Sequence, residues 1–116
     1  MNPEIIKIIE NNPIAVATVD SNNKPNVIAV AYVKVVDDKI VITDNFMKST
    51  VKNLEGNNSI CLAVWNSEWN GYKISGTAEY HTAGKWREFV QELPENKGFA
   101  AKGAVVVNIE EIKELG

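Results

Sequence analysis

Short apolar runs, bounded by polar residues, Pro or Gly, recur along the 116 residues of the chain. Runs of this length are typical of β-strands, because a helix with one buried face instead needs apolar residues three and four positions apart. Polar segments such as DSNNKP and the Asp37-Asp38 pair indicate hairpin turns between successive runs. The pattern predicts six strands, at residues 14–19, 26–36, 39–43, 59–65, 71–80 and 104–109.

Helical patterns occupy three other segments. The first lies near the N-terminus, with Asn2 as a suitable N-cap and isoleucines along one face. The second begins near Ser49 and ends around Gly56. The third follows Thr82 as its predicted N-cap and ends before Pro94, with an aromatic and aliphatic stripe between them. These helices are expected to pack one face on a sheet.

The order of these elements predicts the fold class. Helices occur only at the start, after the third strand and after the fifth, which favours a mostly β fold with peripheral helices, built as a small closed antiparallel barrel. A chain of this length buries roughly two-thirds of its unfolded surface, so it needs no disulfide or metal to fold. Residues 1–116, which contain no internal repeat or linker, are predicted to form a single domain.

The net charge and the rare residue types limit the kinds of partner and site that the protein is expected to have. The net charge is −3, the twelve basic residues form no run and Arg87 is the only arginine, so no nucleic acid partner is expected. Cys61 and His81 are each the sole residue of their type, which predicts a buried, reduced thiol and no metal site. The N-terminus lacks the features of a signal peptide and no run approaches membrane length, so the protein is expected to be cytoplasmic, without membrane contact.

Residues 44–54, DNFMKSTVKNL, combine a strand end, a turn and a helix start. Unpaired backbone N–H groups at a helix start, together with two hydroxyl groups and a lysine, suit a phosphate dianion. The polar side chains there are Lys48, Ser49, Thr50, Lys52 and Asn53. The alternative is an ordinary N-cap, with Ser49 or Thr50 closing a surface helix, and the local sequence alone favours that interpretation.

Two further patterns concern small and aromatic residues. Ala29 and Ala31 fall on one face of a predicted strand, which leaves room for a flat group. Trp65 and Trp86 lie in apolar patterns and are predicted to be core residues. Trp69 lies in a polar loop and is predicted to be exposed.

Four segments in a fixed order carry a resemblance to a known family: IAVATVDSNNKPNV, MKSTVKNL, YKISGTAEY and AVVVNI. Each is weak alone. Their order and spacing, over nearly the whole chain, resemble the FMN-binding split barrels of the pyridoxamine 5'-phosphate oxidase-like superfamily, most closely its small FMN-binding members. The resemblance implies a six-stranded antiparallel split barrel.

The resemblance also implies an FMN site in which a KST-like turn holds the phosphate and neighbouring strands hold the ring. The residues implied for the phosphate are Lys48, Ser49, Thr50 and Asn53. The residues implied for the ring are Val30, Ala31, Ile42, Thr43 and Asp44. Family members are homodimers with the flavin at the subunit interface, and Phe99 is the candidate for a contact from the partner chain. No catalytic acid or base and no metal is expected.

The implied function is that of an FMN-binding flavoprotein, acting as an oxidoreductase or electron carrier on a small-molecule substrate or redox partner that the residues do not identify. The full-length oxidase carries further basic residues in a C-terminal extension, so oxidation of pyridoxamine phosphate itself is not expected. Two alternatives stay open: a non-enzymatic FMN-binding or flavin-storage module, and a barrel that has lost its cofactor. Some superfamily members bind a deazaflavin or haem instead of FMN.

Overall fold

The computed structural model describes residues 1–31 and 33–115. The strands in this part of the chain are β1 (Ile14–Val19), β2 (Pro25–Val30), β3 (Val33–Val36), β4 (Lys39–Asp44), β5 (Ser59–Trp65), β6 (Gly71–His81) and β7 (Gly103–Glu114). The helices are α1 (Pro3–Asn11), α2 (Ser49–Gly56) and α3 (Lys85–Gln91), and a 3-10 turn covers Pro94–Asn96.

All the strands belong to one antiparallel sheet in the order β2-β1-β5-β6-β7-β4-β3. The two edge strands, β2 and β3, are consecutive in sequence. Three Cα steps of about 3.8 Å join Val30 to Val33, so these ends lie within roughly 11 Å of each other. The sheet must therefore curl, and the predicted mostly β split barrel with peripheral helices is confirmed.

The predicted strand count is wrong by one. Residues 26–36 are not one strand: β2 pairs with β1, whereas β3 pairs with β4. Residue 32, inside the predicted strand, lies outside the described residues. The apolar run contains no Gly, Pro or Asn between these strands, so the sequence gives no turn signal where the chain passes from one edge of the sheet to the other.

Two other boundaries also differ from the prediction. The third helix begins later, because its N-cap is Gly84, with a φ of 84°, rather than Thr82. The last strand runs on to Glu114, since the alternating tail pairs with the first half of β6. A register shift between Ser75 and Gly76 marks a β-bulge where β6 pairs with β7.

The core fills the inside of the curled sheet. Fully buried side chains such as Ile14, Ile40 and Leu62 face it, and α1 and α2 add Ile9 and Leu54. Helix α3 covers part of the opposite side of the sheet, over β4 and β7. Among the described residues, no helix has both the length and the apolar character that a membrane crossing requires.

The outward side of β2, β1 and β5 carries small apolar residues. Residues directly opposite each other on antiparallel strands share one side of the sheet, and these positions alternate with the buried Ile14 and Val16. We call this surface the alanine face, and it comprises Ala15, Ala17, Val27, Ala29, Cys61 and Ala63. All six side chains are half-buried or exposed. The predicted burial of Cys61 is therefore wrong, because its position in β5 faces outward rather than into the core. No described element packs against this surface in the way that α3 covers β4 and β7.

The tryptophans follow the prediction only in part. Trp69 is exposed, as predicted. Trp65 is 40% exposed, so its core assignment is wrong. It lies at the end of β5 on the outward side, where its ring is parallel to that of Trp69 with centroids 6.3 Å apart. Trp86 is half-buried and packs with Phe89 beside the cluster under α3.

Candidate ligand-binding site

A cavity of about 530 Å³ lies between β2, the turn after β4 and the loop before β7. This volume is typical of small-molecule sites. The lining comprises Asn26, Ile28, Ala29, Val30, Ala31, Thr43, Asn45, Phe46, Met47, Lys48, Ser49, Thr50 and Phe99. Lys48 is the only charged residue among these described lining residues, so the wall carries a positive charge and no carboxylate.

The turn that leads into α2 is fixed by Asp44, which is fully buried at the end of β4. Its Oδ1 accepts a hydrogen bond from the backbone N–H of Met47 at 2.7 Å, and its Oδ2 accepts one from the hydroxyl of Tyr80 at 2.5 Å. Its backbone carbonyl accepts from the N–H of Lys102 at 2.8 Å. The Lys102 ammonium group donates to the carbonyl of Met47. The turn is thus held from β6 and from the loop before β7.

Tyr80 stays a hydrogen-bond donor over a wide pH range. Burial, and then the hydrogen bond to the Asp44 carboxylate, raise the pKa of the Tyr80 phenol well above its ordinary value. A negative charge on the phenol beside that carboxylate would be unfavourable.

The start of α2 has no side-chain cap. Lys48 occupies the N-cap position and makes no capping hydrogen bond. The backbone N–H groups of residues 49–51 have no acceptor among residues 1–31 and 33–115. The first backbone hydrogen bond of the helix is the one that Lys52 N–H donates to the Lys48 carbonyl at 3.2 Å. The N-cap interpretation, in which the hydroxyl of Ser49 or Thr50 closes the helix, is therefore wrong. These N–H and O–H groups are available to a ligand.

Two side-chain pairs hold α2 against the sheet. The Asn26 amide donates to Thr50 Oγ1 at 3.3 Å, and the Asn53 amide donates to Thr18 Oγ1 at 3.0 Å. Thr18, Thr50 and Asn53 are buried. Because Thr50 Oγ1 accepts this bond, its own proton is left to donate to a ligand.

The other end of the cavity is apolar and flat. The small side chains of Ala29 and Ala31 form part of one wall, and both are exposed. Phe46 and Phe99 meet edge to face with centroids 5.9 Å apart, and they are 74% and 42% exposed. Thr43 is buried, and its Oγ1 has no hydrogen-bond partner in the described part of the chain. This end suits a flat ring with a polar edge near Thr43.

The structure brings together seven of the ten residues that the resemblance implied. Those lining the cavity are Val30, Ala31, Thr43, Lys48, Ser49, Thr50 and Phe99. Ile42 is buried in the core, Asp44 fixes the turn and Asn53 holds α2 against β1. Phe99 lines the cavity of its own chain, and a contact with a partner's flavin stays a prediction.

Six lining residues were not among the predicted site residues. They are Asn26, Ile28, Ala29, Asn45, Phe46 and Met47. Phe46 had a signal of its own, because a large aromatic residue in a polar turn favours a surface or ligand contact over the core. Phe99, by contrast, was selected by the family resemblance. Ala29 had the small-residue pattern of its strand as a signal. Asn26 and Ile28 had none, since a strand that lines a cavity with both of its faces is recognisable only once it is known to be an edge strand.

Metal ligation finds no support in residues 1–31 and 33–115, where no group of three or more His, Cys, Asp or Glu side chains is placed to hold an ion. His81 instead lies on the outward part of β6, with its Nε2 3.0 Å from Oε1 of Glu79.

Comparison with known proteins supports one family over the whole chain. The sequence model of the pyridoxamine 5'-phosphate oxidase family matches residues 1–116. An uncharacterized protein of Methanocaldococcus jannaschii is 34% identical over 120 residues, which cover 99% of this chain and 80% of that protein.

Two solved structures show the same fold. HupZ from Group A Streptococcus has a TM-score of 0.92 and 28% identity, with 99% of this chain and 94% of that chain covered. An FMN-binding protein from Syntrophomonas wolfei has a TM-score of 0.77 and 15% identity, with 97% and 87% covered, which is a likeness of fold alone. The family match and the shared split barrel together show that the chain belongs to the pyridoxamine 5'-phosphate oxidase family.

Proposed function

We propose that the cavity binds FMN and that the protein is a flavoprotein with an oxidoreductase or electron-carrying role. One observation carries the proposal: the cavity is anion-binding at one end and flat and apolar at the other. The start of α2 provides N–H groups that have no acceptor in the described part of the chain, two hydroxyls and the Lys48 ammonium. Farther along β2, the lining provides the small side chains of Ala29 and Ala31, and two exposed phenylalanines add to the apolar wall. A phosphate ester of a tricyclic ring matches both ends.

The residues present fit this cofactor. Ser49, Thr50 and Lys48 are assigned to the phosphate, and the dipole of α2 adds to their attraction. Val30 and Ala31 are assigned to the face of the ring. Thr43 Oγ1, which is buried and without a partner among the described residues, is assigned to a polar edge of the ring, since a buried hydroxyl left unbonded is costly.

The chain's own contribution to a redox reaction would be binding and orientation, while bound FMN supplies the electron or hydride transfer. Lys48 is the only titratable group among the described lining residues, so no acid or base is assigned. The same observation also fits the second candidate, a non-enzymatic module that stores FMN. Steady-state reduction of the bound flavin by NADH or NADPH distinguishes the two, because only an enzyme or carrier would show turnover.

The direct test is an absorbance spectrum of protein purified without added cofactor. The protein should be yellow, and acid release should yield FMN rather than FAD, because the sequence contains no second Gly-rich phosphate loop for an adenylate half. A colourless protein that also fails to take up added FMN would refute the proposal.

We further propose that the protein is a homodimer, formed through the alanine face. The face is continuous with the cavity, because Ala29 belongs to both. A flat surface of small apolar side chains around Ala17 and Ala63 suits a second copy of itself across a twofold axis. Such a dimer would also cover the open side of the cavity.

The dimer is tested by mass in solution, which should be twice 12.8 kDa. Ala63→Glu would place a carboxylate on the alanine face, beside Ala15 of the central strand, and the buried charges should give a monomer. Lys7→Glu, on the exposed side of α1, is the control and should stay dimeric. A wild-type monomer that binds FMN tightly, or an Ala63→Glu variant that is dimeric without FMN, would contradict the proposed interface.

A further inference from the structure

We propose that Asp44 and Tyr80 are positioning residues, which act through Met47 to hold the start of α2 in the geometry that binds a phosphate. This inference rests on the proposed FMN site. It also gives Asp44 a role different from the ring contact that the family resemblance implied.

The burial of Asp44 argues against a direct contact with the ligand. Its side chain is fully buried and does not line the cavity. Both carboxylate oxygens accept hydrogen bonds from the protein, one from Met47 and one from Tyr80. A buried carboxylate needs such partners, so the three residues form one connected unit behind the cavity wall.

The bond from Met47 replaces a conventional helix cap. An N-cap side chain normally accepts a hydrogen bond from the first turn of its helix. In this chain, Asp44 accepts one from the residue just before the N-cap position, and Lys48 makes no side-chain cap. The turn is therefore ordered from outside the helix, and the hydroxyls of Ser49 and Thr50 are not used for capping.

The approach of Tyr80 depends on a glycine. Gly103 is paired with Asp44 across β4 and β7. A Cβ atom at this position would lie 2.7 Å from both Cζ and the hydroxyl oxygen of Tyr80, and 2.8 Å from the His81 carbonyl oxygen. The absence of a side chain at position 103 thus leaves the space in which the phenol reaches Asp44.

The experiment is a fluorescence titration of apoprotein with FMN and with riboflavin, which has the same ring and no phosphate. Tyr80→Phe removes the hydroxyl and keeps the ring. It should weaken FMN binding about tenfold, the scale of one lost hydrogen bond to a charged group, and leave riboflavin binding unchanged. Tyr72→Phe, at the other end of β6, is the matched control and should change neither affinity.

A second variant, Asp44→Asn, keeps the shape of the carboxylate and removes its charge. Its amide oxygen can still accept from Met47, so it should lose less FMN affinity than Asp44→Ala. That order would support a positioning role, because it tracks the hydrogen bond rather than the charge.

The outcomes separate this inference from the proposed function. Unchanged FMN affinity in Tyr80→Phe, or an equal loss for FMN and riboflavin, would overturn the positioning role and leave the FMN site intact. Wild-type protein that binds neither flavin would overturn the FMN site and this inference with it. If Asp44→Ala does not fold, the milder Tyr80→Phe and Asp44→Asn variants decide the question.

Discussion

The sharpest test of the phosphate end is to remove the two hydroxyls at the start of α2. The double variant Ser49→Ala, Thr50→Val takes away both oxygens. Valine is chosen at position 50 because Thr50 is buried, and a smaller residue would leave a hole beside the Asn26 amide. The helix itself should persist, since neither hydroxyl caps it.

The expected size of the effect follows from the exposure of each hydroxyl. A hydrogen bond to a charged group contributes about 1.5–3 kcal/mol. Ser49 is exposed, so water replaces part of its contribution and the lower value applies to it. Because Thr50 is buried, its bond contributes at least as much, and the two together amount to about 3 kcal/mol or more, which corresponds to about a hundredfold or greater loss of FMN affinity. Riboflavin has no phosphate and should bind the variant as it binds the wild type.

The assay is a titration of flavin fluorescence against apoprotein for both ligands. The matched control is Ser59→Ala, Thr77→Val, a serine and a threonine that face each other across β5 and β6, away from the cavity. It should leave both affinities unchanged. Equal affinity of the wild type for FMN and riboflavin would refute the reasoning, because the start of α2 would then hold no phosphate.

Four further outcomes are expected. Lys48→Ala should weaken FMN binding by about twofold to fivefold at low salt and by less at high salt, because salt screens the charge of an exposed ammonium group. The side chain of Lys52 does not line the cavity, so Lys52→Ala should have a smaller effect in the same titrations. Leu62→Ala should lower the free energy of unfolding by about 2–5 kcal/mol in urea denaturation, because Leu62 is fully buried. Gly76→Ala should cost about 3 kcal/mol or more in the same assay, since its Cβ would lie 2.0 Å from the Asn108 carbonyl oxygen. The contribution of Tyr80 to the free energy of unfolding should be complete below pH 10, the ordinary pKa of a tyrosine, and should fall as the pH rises above it. The reason is that the raised pKa keeps the phenol of the folded protein protonated at a pH where the phenol of the unfolded chain ionises. Denaturation between pH 8 and 11 should show this fall in the wild type and not in Tyr80→Phe.

The extent to which the fold was predictable depends on local signals. Strands bounded by polar turns were located from the sequence, as at residues 14–19 and 59–65. The sequence did not predict that the chain passes from one edge of the sheet to the other between β2 and β3, because this passage lies inside one apolar run. The third helix was placed too early because Thr82 is a good N-cap type, whereas the chain uses Gly84 at a positive φ. At this helix start, the N-cap preference of Thr82 was outweighed by the path that the backbone takes through Gly84.

The candidate site was predictable where neighbours in sequence are neighbours in the cavity. Lys48, Ser49 and Thr50 are consecutive at a helix start, which suggested an anion site, and the family resemblance then assigned them to the FMN phosphate. The role of Asp44 could not be recognised, because it depends on Tyr80, which is 36 residues away in sequence. An acidic residue at the end of a strand looks the same whether it reaches a ligand or supports a turn from behind.

The position of the cavity follows from the opening in the barrel. β2 is an edge strand, which pairs with β1 on one side and with no strand of the described residues on the other. Free edges attract further strands unless something covers them, and this one forms a wall of the cavity, opposite the start of α2. A ligand seated there would cover part of the edge, and a second copy on the alanine face would cover the rest. FMN binding and dimerisation should therefore be coupled, so that added FMN raises the dimer fraction of Ala63→Glu while riboflavin does so less. Sedimentation of that variant with each ligand measures the coupling, and a dimer fraction independent of FMN would show that the two surfaces act separately.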